Sequence, residues 1–150
     1  MAKPAGRSEV VDSLEVPAVA RIAGLSVHMV NYLCRHGIVE PSAGDRRGRG
    51  VRRKYSYADM LLLRVVAKLL NQGTSVLRLK KSLTELQARG RTTQDLVTKK
   101  FVATDGHNLY FEDGGILELL DSGQMAFAFV LELGSIRDEV LEKIEQRANA

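Results

Sequence analysis

The sequence predicts a mainly α front half followed by a small α+β unit. Apolar residues recur three and four apart through most of residues 17–86, and glycines stand where those stretches end. Near residue 90 the pattern changes to short apolar runs around a turn dipeptide, and the charge changes sign.

The whole chain carries 22 Lys+Arg and 18 Asp+Glu, a net charge of +4. Residues 1–100 hold 19 basic and 8 acidic side chains, a net of +11, whereas residues 101–150 hold 3 and 10, a net of −7. A basic front half suits a polyanion, because neutralising phosphates releases counterions. The acidic rear half would be repelled from that partner, so a different role is expected of it. Cys34 is the single cysteine and cannot form an internal disulfide, as expected of a reducing cytoplasm. No apolar run is long enough to span a membrane. Residues 1–14 begin with Lys3, Pro4, Gly6 and Arg7, lack the apolar centre of a signal peptide, and are expected to be a flexible lead-in.

Taken in order, Pro17 suits the opening turn of a first helix with Val19, Ala20, Ile22 and Ala23 on its apolar side. Gly24 ends it, and Leu25 follows as a core plug. Ser26 is placed to cap a second helix reaching His36, with Gly37 as its left-handed exit. Val27, Val30, Leu33 and Cys34 should face inward, leaving His28, Asn31, Tyr32 and Arg35 on the outer face. Ile38 and Val39 read as a short strand stopped by Pro41. Residues 51–55 then return as its partner, making a hairpin with a Gly/Arg tip. Ser56 and Asp59 have the offset of a capping box before a helix over 57–72, with Arg64, Lys68 and Asn71 on its outer strip. Ser75 opens another helix carrying Val76, Leu79, Leu83 and Leu86.

Residues 90–93 are the expected boundary between a unit at 15–90 and a second at 91–150. In the latter, residues 101–104 and 109–111 flank Asp105-Gly106 as a hairpin. A short helix at 116–120, a strand at 125–133 and a final helix capped by Ser135 complete it. Phe127 and Phe129, with Ile136, Val140 and Ile144 of that helix, are expected at a dimer contact, because so small a unit rarely stands alone.

Helix, short glycine turn, helix, then a basic hairpin is the order of a winged helix-turn-helix. Arg46, Arg47, Arg49, Arg52, Arg53 and Lys54 fall within nine residues, interleaved with glycines that allow close backbone approach. Placed as a wing they would lie along phosphates and set register, while Asn31 could read adenine, Arg35 guanine, and His28 or Tyr32 a phosphate or base edge. The partner expected is double-stranded DNA.

Competing chemistry finds little support. Cys34 alone, on an inward helix position, reads as a small core residue rather than a redox sensor. Three scattered histidines without a second cysteine have no metal-ligand spacing, and His107 falls in a turn. Residues 44–50 lack the Lys-Ser/Thr ending of a phosphate-cradling loop. Glu112, Asp113, Glu118 and Asp121 read as a solvated acidic face. No catalytic residue, metal or cofactor is expected.

Ala18-Val19-Ala20-Arg21-Ile22-Ala23-Gly24-Leu25-Ser26-Val27, then Tyr32, Gly37-Ile38-Val39-Glu40-Pro41, Arg53-Lys54-Tyr55-Ser56, Asp59-Met60, Leu63 and Gly73-Thr74-Ser75 resemble the MerR family of bacterial regulators over residues 17–86. The resemblance implies that residues 26–36 enter the major groove, that Tyr32 and the wing arginines hold the backbone, and that two copies act on an inverted repeat. The chain departs from the family's usual run at Leu33, where a second Tyr is usual, at Cys34 in place of an acidic residue, and in its longer Arg/Gly segment. The rear half lacks the long coiled-coil helix of metal- and drug-sensing members. Asp105-Gly106 with Tyr110, and Leu119-Leu120-Asp121-Ser122-Gly123-Gln124, resemble the compact tail of an atypical subgroup. That tail implies dimerisation or protein contact. A homodimeric transcriptional regulator of the cytoplasm, nucleoid-associated through its DNA, is therefore expected. The rival is an adaptor or antitoxin-like module whose acidic rear binds a protein, with DNA binding secondary.

Overall fold

The apolar stretches fold around a central helix, α3 (Tyr57–Asn71), against which three other helices and one strand pack. The computed structural model describes residues 13–43, 54–105, 108–113 and 129–148. Strand β1 (Ser13–Glu15) leads directly into α1 (Val16–Ala23), which has Pro17 in its first turn and ends at Gly24 with φ 78°. Helix α2 (Val27–Arg35) follows, capped as expected: Ser26 Oγ accepts from Met29 N at 3.0 Å. Strand β2 (Lys54–Ser56) precedes α3, and α4 (Val76–Ala88) opens on Ser75, whose hydroxyl accepts from Arg78 N. A short helix α5 (Thr93–Val97) leads to β3 (Phe101–Thr104), β4 (Leu109–Glu112), β5 (Phe129–Glu132) and α6 (Leu133–Ala148).

Among the described residues two small antiparallel sheets result. In one, β1 pairs with β2 in the register Ser13↔Ser56, Leu14↔Tyr55 and Glu15↔Lys54. In the other β3 is central, flanked by β4 and β5, with Val102 opposite both Phe111 and Leu131. The architecture is mainly α in front with an α+β rear, as the sequence predicts.

One buried cluster runs through both halves. It joins Val19, Ile22, Val30, Leu33, Met60, Leu63, Val66 and Leu69 of the front to Leu96, Val102, Phe111, Ile136, Val140 and Ile144 of the rear. Burial of such aliphatic side chains contributes about 1.5–3 kcal/mol each, so this continuous core is the main adhesive of the molecule. Helix α6 lies on α3 and α1. Arg137 of α6 donates from Nη1 to the carbonyls of Val97 and Lys99, at 3.0 and 3.3 Å, tying α6 to the end of α5.

Several local expectations are corrected. Ile38 and Val39 form no strand. They are buried in the turn after α2, with both N–H groups bonded to Leu33 O. The bridge to the returning strand is made by Ala43, whose N donates to Lys54 O at 3.1 Å, and the main partner of β2 is β1. Ser13 and Leu14, within the expected lead-in, are strand residues because Leu14 packs on the core. Val27 does not face inward: it is 44% exposed in the first turn of α2, and Met29 takes the core contact. Cys34 is half-buried. Arg64 and Lys68 do not form an outer strip but face Glu139 of α6. Helix α6 begins at Leu133, two residues before the expected cap, because Lys100 O accepts the Leu133 N–H at 2.8 Å. The expected helix at 116–120, the residues 125–128 of the expected strand and His107 lie outside the described residues.

Candidate nucleic-acid interface

The arrangement begins with the turn between α1 and α2. Gly24 N and Leu25 N both donate to Ala20 O at 2.9 Å, closing α1 tightly. Arg64 Nη1 donates to Ala23 O at 3.0 Å, and Arg64 Nη2 pairs with Glu139 Oε2 at 2.6 Å. A long cation on α3 thus spans from the helix-helix turn to α6. Lys68 Nζ adds a contact at 3.5 Å to the other Glu139 oxygen. The hydrogen bond from Arg64 is the main reason that the Glu139 carboxyl titrates below its ordinary value; burial opposes it.

Helix α2 is held by Val30 and Leu33, both fully buried, so its opposite face is directed outward. His28 and Arg35 are exposed there and Asn31 and Tyr32 are half-exposed, as their spacing predicts. His36, at the helix end, is also exposed, and its ring meets the Tyr32 ring with centroids 4.2 Å apart. Tyr32 also packs on the core, so the contact sets His36 against a side chain that is already held. The sequence reading did not group His36 with the outer face, although its spacing of four from Tyr32 was available. Gly37 turns the chain away at φ 68°.

From there the backbone reaches Ala43 and its bridge to Lys54. Lys54 is exposed, and no described carboxylate pairs with it or with Arg35. Arg46, Arg47, Arg49, Arg52 and Arg53 lie outside the described residues. The described residues on either side of that stretch, Ala43 and Lys54, are bonded to each other.

Below this bridge stands Asp59, the buried third residue of α3. The capping box is formed: Asp59 N donates to Ser56 Oγ at 3.1 Å, and Ser56 N to Asp59 Oδ2 at 2.9 Å. The same Oδ2 accepts from Ser42 N at 2.8 Å and from Ser42 Oγ at 2.7 Å.

Of the residues expected at a dimer contact, Ile136, Val140 and Ile144 are buried in this chain's own core. Phe129 is half-buried on β5, and Phe127 lies outside the described residues. Glu112 and Asp113 are exposed, with Asp113 3.9 Å from Lys99, while Glu118 and Asp121 fall outside the described residues. Among the described residues no group of His, Cys, Asp and Glu could hold a metal ion. No described helix is long and apolar enough to cross a membrane.

Two helices joined by a glycine turn, the second displaying a polar and cationic face, form a helix-turn-helix. Residues 14–86 match the family described as MerR HTH family regulatory protein. It is also similar to an HTH-type transcriptional regulator of Mycobacterium bovis and to one in each of two Mycobacterium tuberculosis strains. Each is 31% identical over 124 residues, covering 81% of this chain and 53% of the relative. The likeness is longer than residues 14–86 and therefore runs past the family segment. The chain spans about half the length of the curated relatives that it matches.

Proposed function

We propose that the protein is a homodimeric transcriptional regulator that binds a pseudo-palindromic operator in the cytoplasm, with one α2 in each of two major grooves. The observation that carries the reading is the outward face of α2, with His28, Asn31, Tyr32 and Arg35 on one side of a helix whose other side is locked into the core. Asn31 and Arg35 read base edges, and His28 and Tyr32 contact a phosphate or base edge. Arg46, Arg47, Arg49, Arg52, Arg53 and Lys54 neutralise flanking phosphates and so set affinity more than sequence choice. Two copies, related by a twofold axis, place their α2 helices about one helical turn (~34 Å) apart. The copies meet through surface other than Ile136, Val140 and Ile144, whose side chains the monomer already encloses.

Paired substitutions test the division of labour. Arg52→Ala with Arg53→Ala weakens binding to every duplex alike and makes the dependence of log Kobs on log salt shallower by about two. Asn31→Ala or Arg35→Ala instead changes which bases are preferred, at a cost of about 1–3 kcal/mol on the favoured site. Equal losses on all sequences from the α2 substitutions, or an unchanged salt slope from the arginine pair, overturn the assignment.

A further inference from the structure

We propose that Asp59 is a positioning residue for the arginine-rich segment 44–53: its buried carboxylate fastens the residues on either side of that segment and so supports what the segment contributes to DNA affinity. The inference rests on the DNA-binding reading above and adds to it a residue that touches no DNA.

A capping box is complete with the two reciprocal bonds between Ser56 and Asp59, and nothing in helix capping calls for more. Here the same carboxylate oxygen takes two further hydrogens, from Ser42 N and Ser42 Oγ, across a separation of 17 residues. Ser42 stands just before the segment and Ser56 just after it. The hydroxyls of the two serines are also hydrogen-bonded to each other, at 3.0 Å. Nearer the segment on both sides, the Ala43–Lys54 bridge repeats the link in backbone atoms.

Three donors converging on Oδ2 of a side chain only 1% exposed make a rigid node. A charged acceptor shortens and strengthens such bonds. The node ties Ser42 to Ser56, the described residues on either side of the segment, so loosening it frees both of its ends at once. An arginine held to a phosphate gains little if its root wanders, because each contact then has to order the backbone as well. Helix α4 supplies a contrast. Ser75 caps it through Arg78 N, and the bond reaches no other segment.

The test uses the full chain and a random-sequence duplex of about 30 base pairs, with affinity measured across a salt series well below the melting temperature of each variant. Ser42→Ala removes the hydroxyl bond but leaves the capping box intact. Asp59→Asn keeps the shape and removes the charge. Both should bind at least about fivefold more weakly, with a salt slope shallower by one or more. Ser42→Thr, which retains the hydroxyl, should bind as the parent does. Ser75→Ala loses a helix cap of the same kind and should leave both affinity and slope unchanged. If Ser42→Ala and Asp59→Asn keep the parent's slope and affinity, the positioning role is wrong while the DNA reading stands. If the parent itself ignores the duplex at low salt, the DNA reading fails and this role falls with it.

Discussion

Replacing Gly24 by Ala should damage this protein far more than the same change at Gly90, although both glycines follow a helix with similar backbone angles. Gly24 has φ 78° and Gly90 φ 85°. Either substitution places a Cβ in left-handed backbone, at a cost of about 1–2 kcal/mol. At Gly90 a Cβ would meet nothing within 4 Å, so the backbone term is the whole effect. At Gly24 a Cβ would stand 2.5 Å from Arg64 Nη1, and the guanidinium has to move. Moving it endangers the bond to Ala23 O and the pair with Glu139. Hydrogen bonds to charged groups contribute about 1.5–3 kcal/mol when well buried, and the partly exposed Glu139 pair adds less than 1. Loss of both contacts gives about 2.5–6 kcal/mol for Gly24→Ala against about 1–2 for Gly90→Ala. Urea unfolding followed by far-UV circular dichroism measures both. Repeating Gly24→Ala in an Arg64→Met background isolates the guanidinium, and there the cost should fall to that at Gly90. Equal costs for the two alanines in the parent background would refute the claim that Arg64 fills the space over the helix-helix turn.

Two further outcomes follow from the same packing. Leu33→Ala opens a void under the recognition face at a fully buried position and should cost about 2–5 kcal/mol in thermal or urea unfolding, with loss of α2 order. Glu139→Gln should cost less than about 1 kcal/mol at neutral pH, since the pair is partly exposed. Because the folded carboxyl titrates below its ordinary 4.5, its stabilisation is present above that value and lost as the pH falls through the lowered one. Parent and Glu139→Gln stabilities should therefore differ at pH 7 and converge in acid. A constant gap from pH 7 to 3 would remove Arg64 from the account of the α3–α6 seam.

What the sequence made legible was local chemistry. Ser26, Ser56, Ser75, Gly24 and Gly37 each act within four residues of their own position, so their roles could be read directly from spacing. The inward places of Val30 and Leu33 follow from the helical period, and the outward places of His28 and Arg35 follow from the same rule. Val27 obeys that period and is still exposed, because periodicity does not say where a neighbouring element ends. Helix α5 escaped for a different reason: five residues give no period, although Thr92 capping Asp95 N was a usable signal.

Long-range partners were the other gap. Nothing in Ser13–Glu15 announces that it pairs with Lys54–Ser56, nor that α6 returns to lie on α1 and α3. A Lys or Arg on a helix reads as solvated until the opposing carboxylate is known, and so Arg64 and Lys68 looked like surface. Ile136, Val140 and Ile144 form a correct apolar stripe, but a stripe does not say whether it is covered by its own chain or by a second copy. Asp59 was visible as a cap. Its hold on Ser42 was not, because that bond depends on how residues 37–43 fold back from α2.

The account stands on α2 and the segment after it meeting one DNA duplex together. Selection of bound duplexes from a random-sequence pool by the 150-residue chain tests this most directly. Enrichment of an inverted repeat, with half-sites about one helical turn apart and lost with Arg35→Ala, is the predicted result. A pool that stays unenriched after repeated rounds at low salt would contradict it.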